Sequence, residues 1–239
     1  MSAVRPLSLL GSTHTGARIA LRPRLVVAAL SAALFVALAA LVAAGSLTVV
    51  DQYAVHHLMP GLYPYFSHEA MLHEATVPIA SAGNPNRIVN RIADAATIPA
   101  GAVIATFLFA VVAAAGALAR RRTPRMTAYW LLAYVAGNAV EVLGKLTLER
   151  PALTTGSLWG SAQVWKFDSS FPSGHTIRTL LLAALVGLTF SHLRLLAAVW
   201  AAAVLVLLEA AGTHTPTDIV GGFLVAVTLI LICREAETR

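Results

Sequence analysis

A series of long apolar runs, each ended by charge or by proline and glycine, restricts this fold more than any other feature. A helix needs roughly 20 apolar residues to cross the hydrocarbon core of a bilayer. The first run, Leu25 to about Val50, meets that length. Others extend from about Thr97 to Ala119, Met126 to Leu146, Ser173 to Thr189, Leu195 to Gly212 and Thr217 to Cys233. With 58% hydrophobic and 12% charged residues among 239, they predict an all-α integral membrane protein, a six-span helix bundle. Ala43-Ala44-Gly45 offers the small residues of a signal-peptide cleavage site. The apolar stretch before it exceeds the usual ~7–15 residues, so an uncleaved span is expected.

The cations orient the bundle. Arg5, Arg18, Arg22, Arg24, Arg120, Arg121, Arg122, Arg125, Arg194, Arg234 and Arg239 fall on one side of a six-span arrangement. The other side holds Arg87, Arg91, Arg150 and Lys166, with Lys145 and Arg178 near its helix ends. Because cytoplasmic loops carry the excess of Lys and Arg, residues 1–24 and 234–239 are expected to be cytoplasmic tails. The domain at 25–233 is then a multi-pass plasma-membrane domain whose chemical residues face the extracytoplasmic side. The net charge of +6 reflects this topology, and nucleic acid is not an expected partner.

Residues 51–96 carry Tyr53, Tyr63, Tyr65 and Phe66 among prolines and are expected to form an outer interfacial loop. Within it, His68-Glu69-Ala70-Met71-Leu72-His73 resembles a zinc-protease pattern with one residue too many. A five-residue step sets two helical side chains about 140° apart, so no metal is expected there. His56-His57 is a weaker metal candidate still. Cys233, the only cysteine, has no internal disulfide partner.

Two stretches carry chemistry. Phe171-Pro172-Ser173-Gly174-His175 opens the fourth span, and Thr213-His214-Thr215-Pro216-Thr217-Asp218 opens the sixth. A helix start presents unpaired N–H groups and the positive end of the peptide dipoles, which suits an anion. Two histidines at two such mouths point to phosphoryl transfer, a reaction that needs positioning and charge neutralisation. Neutral imidazole is nucleophilic near pH 7, and a carboxylate four residues along can fix its tautomer.

With Lys145 and Arg150-Pro151 before them, these motifs resemble the type 2 phosphatidic acid phosphatase superfamily, related to the vanadium haloperoxidases. The family pattern is Lys with Arg-Pro, then Pro-Ser-Gly-His, then Ser-Arg followed by His and, four residues on, Asp. The resemblance covers roughly 126–233, the motif-bearing core. It implies metal-independent hydrolysis, without a cofactor, of a lipid phosphate or diphosphate of the phosphatidate, phosphatidylglycerol phosphate or polyprenyl type. In that scheme His214 is the nucleophile that forms a phosphohistidine, and Asp218 orients it. His175 protonates the leaving oxygen and then activates water. Lys145, Arg150, Ser173, Gly174 and Arg178 are the candidate substrate-binding residues, and the expected partners are the lipid phosphate and the bilayer.

The family pattern also exposes two departures. Its first arginine would stand at Ala152, whereas Arg150 lies two residues early, about 6.6 Å along an extended chain. Its later arginine would stand at Leu208. Arg178, a turn inside the fourth span, is expected to contact phosphate or to pair with Glu209 in the fifth. Glu141, four residues before Lys145, is expected to pair with it structurally. The alternatives are a lipid phosphotransferase, a non-catalytic lipid-phosphate-binding protein, and a transporter suggested by the charges within the spans.

Overall fold

Proline and threonine mark most of the helix starts. The computed structural model describes residues 22–59, 91–92, 95–119, 121–157, 160–163 and 170–238. Helix α1 covers Pro23–Ala43, α2 Thr48–His57, α3 Ala102–Leu118 and α4 Pro124–Thr147. Helix α5 covers Gly174–Thr189, α6 Arg194–Ala210 and α7 Pro216–Ala236. Pro23, Pro124 and Pro216 each occupy the first helical position, where the missing N–H has no intrahelical partner to lose. Thr123 caps α4 by accepting from the Met126 amide. Thr215 and Asp218 form a reciprocal capping box on α7.

The expected first span of 25–50 is corrected. Helix α1 stops at Ala43, Gly45 turns the chain at a φ of 71°, and α2 starts at Thr48. Hydropathy hides this break because the residues on both sides of the turn are apolar. Helix α2 also replaces the start of the loop expected at 51–96. Between α4 and α5, strands β1 (Thr154–Ser157) and β2 (Gly160–Gln163) form an antiparallel hairpin where only a loop was expected. The basic N-terminal tail up to residue 21 and the His68–His73 pattern lie outside the described residues.

Among the described residues, three helical segments, Pro23–Ala43, Ser191–Ala210 and Pro216–Ala236, are long and apolar enough to cross a membrane. Ala102–Leu118 and Gly174–Thr189 are shorter apolar helices. Their outward faces expose large apolar side chains such as Leu30, Val36, Phe107, Leu195 and Val206. The buried faces are rich in small residues, including Ala28, Ala105, Ala113, Ala197 and Ala201. Large apolar groups outside and small residues inside is the pattern of helices packed in lipid. The chain is a membrane protein.

Helix α5 is the hub, packing against α3, α4, α6 and α7, while α1 lies along α7. Ile177, Leu181 and Leu185 of α5 are buried among Phe109 and Ala113 of α3, Trp130 and Tyr134 of α4, and Val225 of α7. Gly137 lets α4 come close: a Cβ there would lie 2.7 Å from Ile177 Cγ2. At one end of the bundle Arg22 pairs with Glu235 and Arg122 with Glu237, while Trp130 donates to Glu237 at 2.8 Å. The two histidine motifs meet at the other end.

Candidate active site

The turn after α6 delivers His214. Gly212 adopts a φ of 63°, a left-handed conformation that glycine enters without a Cβ penalty, and its amide donates to Glu209 O at 2.7 Å. His214 follows at the mouth of α7. The segment 171–173 threads between α4 and α7. A Cβ on Gly144 would come within 2.5 Å of Pro172 Cδ, and one on Gly222 within 2.5 Å of Ser173 O. The Ser173 amide donates to Asp218 O at 2.9 Å, tying the start of α5 to that of α7.

This link brings the two histidines together. His175 Nδ1 lies 3.4 Å from His214 Nε2. The other imidazole nitrogen, His214 Nδ1, faces Asp218 Oδ2 at 3.6 Å. Asp218 is fully buried, and its carboxylate accepts from Ser170 Oγ at 2.6 Å, the Thr215 amide at 3.0 Å and Arg150 Nη1 at 2.9 Å. Such a set of donors holds a carboxylate ionised and oriented. Arg150 also pairs through Nη2 with Asp51, which α2 inserts from the other side. Asp51 accepts from Thr217 Oγ1 at 2.6 Å and from the Thr217 amide at 3.2 Å.

A second charged group stands beside the histidine pair. Glu141 of α4 accepts from Lys145 Nζ at 2.7 Å and pairs with Arg178 of α5. Arg178 also donates to Asn138 Oδ1 at 3.1 Å and to Ala100 O at 2.9 Å. The Glu141 carboxylate rests against Gly174, where a Cβ would fall 1.9 Å from its carboxyl carbon. Ser173 caps α5, its Oγ accepting from the Thr176 amide at 3.2 Å.

Residues 126–238 match the model of the PAP2 superfamily. In fold the chain is similar to the crystal structure of a transmembrane PAP2-type phosphatidylglycerolphosphate phosphatase from Bacillus subtilis. That match has 17% identity and a TM-score of 0.59, covering 87% of this chain and 94% of the other. No curated protein sequence matches the chain.

Within the matched segment, the structure places His175, His214, Asp218, Ser173 and Gly174 around the paired starts of α5 and α7. Two placements differ from the sequence expectation. Arg150, expected to reach phosphate in place of an arginine at 152, is engaged with Asp51 and Asp218, and its side chain is only 3% exposed. Arg178 pairs with Glu141 and not with Glu209, because α4 presents Glu141 to the face of α5 that carries Arg178. The Glu141–Lys145 contact is present as expected, with Arg178 as an unexpected third member. Asp51 lies upstream of the matched segment and was not singled out from the sequence. Its only signal there is a carboxylate directly following a long apolar run.

Proposed function

We propose that this chain is a lipid phosphatase acting on a phosphate monoester or terminal diphosphate through a phosphohistidine. The observation that carries the reading is the His175–His214 contact with Asp218 behind the second His214 nitrogen. With the proton on Nδ1, which faces the Asp218 carboxylate at 3.6 Å, His214 Nε2 keeps its lone pair for phosphorus. As the N–P bond forms, the P–O bond to the lipid breaks and His175 delivers a proton to the departing oxygen. Water then attacks the phosphohistidine, His175 takes its proton, the N–P bond breaks and inorganic phosphate leaves. In this reading the N–H groups at the start of α5 and the Lys145 ammonium bind phosphate oxygens.

All six long helices, α1 and α3–α7, span the bilayer in this proposal. The end rich in Arg22, Arg24, Arg121, Arg122, Arg125, Arg194 and Arg234 is cytoplasmic, and the histidines open to the extracytoplasmic face of the plasma membrane. A site at the bilayer surface admits a headgroup while its tail stays in lipid. The match of residues 126–238 to the PAP2 superfamily model and the likeness in fold to the Bacillus phosphatase support this chemistry. The proposed substrates are phosphatidate, phosphatidylglycerol phosphate or a polyprenyl phosphate or diphosphate.

The test is phosphate release from a panel of those lipids by wild type and His214→Ala, with EDTA present. Release that resists the chelator and vanishes in the variant is expected. A second reading, binding of lipid phosphate without turnover, is favoured by the engagement of Arg150 and Arg178 with carboxylates. Lipid binding without release by the wild type selects it. Dephosphorylation of the lipid only when an alcohol acceptor is supplied, with the phosphoryl group recovered on that alcohol and no inorganic phosphate released, selects a phosphotransferase.

A further inference from the structure

The Glu141 carboxylate stands where an anion at the start of α5 would stand. Its Oε1 takes Lys145 Nζ at 2.7 Å, and its Oε2 takes Arg178 Nη1. It rests on the first residue of α5: a Cβ on Gly174 would lie 1.9 Å from both its carboxyl carbon and Oε1. The next residue, His175, is in contact with His214. A carboxylate between two cations, over the bare Cα of a helix start and one residue from the histidine pair, presents the charge and donor contacts of a phosphate group.

We infer that Glu141 is a built-in charge filter, which admits dianionic phosphate monoesters or terminal diphosphates and excludes monoanionic phosphodiester headgroups. This rests on the phosphatase reading for the place where substrate binds, and it adds what decides the substrate class. Lys145 and Arg178 supply two positive charges, of which Glu141 neutralises one. A phosphodiester that displaces Glu141 exchanges one negative charge for another and strands a carboxylate inside the bundle, a net loss. A phosphodiester that enters beside Glu141 meets a like charge. Only an anion of charge near −2 neutralises both cations and offsets the displacement. Most phospholipid headgroups are phosphodiesters, so a bare two-cation seat at the bilayer surface would fill with them. If Glu141 served only to neutralise Arg178 within the helix bundle, the variant would lose stability without changing anion selectivity.

The experiment uses the full chain in detergent with inorganic phosphate and dimethyl phosphate as competing anions. Each is measured in two ways, as an inhibitor of phosphate release from short-chain phosphatidate and as a thermal stabiliser that needs no turnover. Wild type is expected to favour phosphate. Glu141→Gln is expected to narrow that preference by about tenfold or more, equivalent to about 1.4 kcal/mol. An unchanged preference in Glu141→Gln overturns the filter, even if lipid phosphatase activity is intact. If Glu141→Gln does not fold, the double variant Glu141→Gln/Arg178→Met removes the carboxylate together with its buried cation, so that neither is left unpaired. A narrowed preference is then expected, and an unchanged one overturns the proposal. A wild type that releases no lipid phosphate, yet shows Glu141-dependent selectivity in thermal shift, sinks the phosphatase reading and leaves the filter standing. No stabilisation by either anion rejects the filter outright.

Discussion

The two ends of this bundle use the same residue types for different ends. At the arginine-rich end, Arg22 pairs with Glu235, Arg122 with Glu237 and Arg234 with Glu237, so helix termini are stapled to one another. At the histidine end, Arg150 joins Asp51 to Asp218, and Glu141 joins Lys145 to Arg178. There the paired carboxylates stand beside or behind the histidines proposed to react. An ion pair that closes a helix end can be lost at a cost in stability alone. In the proposed mechanism, one that holds Asp218 is expected to move His214 when it is lost. Substitutions at matched positions in the two ends therefore separate architecture from chemistry.

The largest effect is expected at His214. His214→Ala removes the proposed nucleophile and should lower turnover by a factor on the order of 10⁴ or more, with the melting temperature in detergent little changed. Arg150→Met comes next. It leaves Asp51 and Asp218 as buried carboxylates without their cation, which costs about 3–5 kcal/mol. The same change should reduce kcat roughly 10²-fold in the protein that remains folded, because Asp218 loses its registration on His214. Kinetics at a temperature well below the variant's melting point would check this, and a kcat equal to wild type would show that Arg150 only stabilises.

Arg122→Met is the counterpart at the arginine-rich end. Its pair with Glu237 is nearly as buried, with side chains 5% and 9% exposed, so a loss of about 3 kcal/mol is expected. Turnover per folded molecule should stay at the wild-type value, and a fall in kcat would collapse the distinction between the two ends. Arg22→Ala should be the mildest. Its side chain is 49% exposed, and such pairs contribute about 0–1 kcal/mol, so thermal melting should move little.

Much of the helix layout was legible because lipid imposes it locally. The expected starts at 126, 173, 195 and 217 lie within two residues of those of α4, α5, α6 and α7. The break at Gly45 was not legible, because a turn flanked by Ala43, Ala44, Leu47 and Val49 carries no change in hydropathy. The His175, His214 and Asp218 motifs could be read because each sits at a helix mouth with short-range spacing. Asp51 could not. Its partners Arg150 and Thr217 are 99 and 166 residues away, and no local pattern connects them.

The same limit applied to Arg178. From sequence, Glu209 and Glu141 both stood in neighbouring spans, and helical periodicity cannot say which one faces α5. The sequence by itself determined that this chain enters a membrane and that the His175, His214 and Asp218 motifs open helices. Those properties depend on composition and on spacing within one or two helical turns. The tertiary structure alone decided which carboxylate each cation meets and that a tie between Ser173 and Asp218 joins two helix mouths. Charge pairing within a bundle is set by how helices are rotated and packed, and that rotation is a property of all of them together.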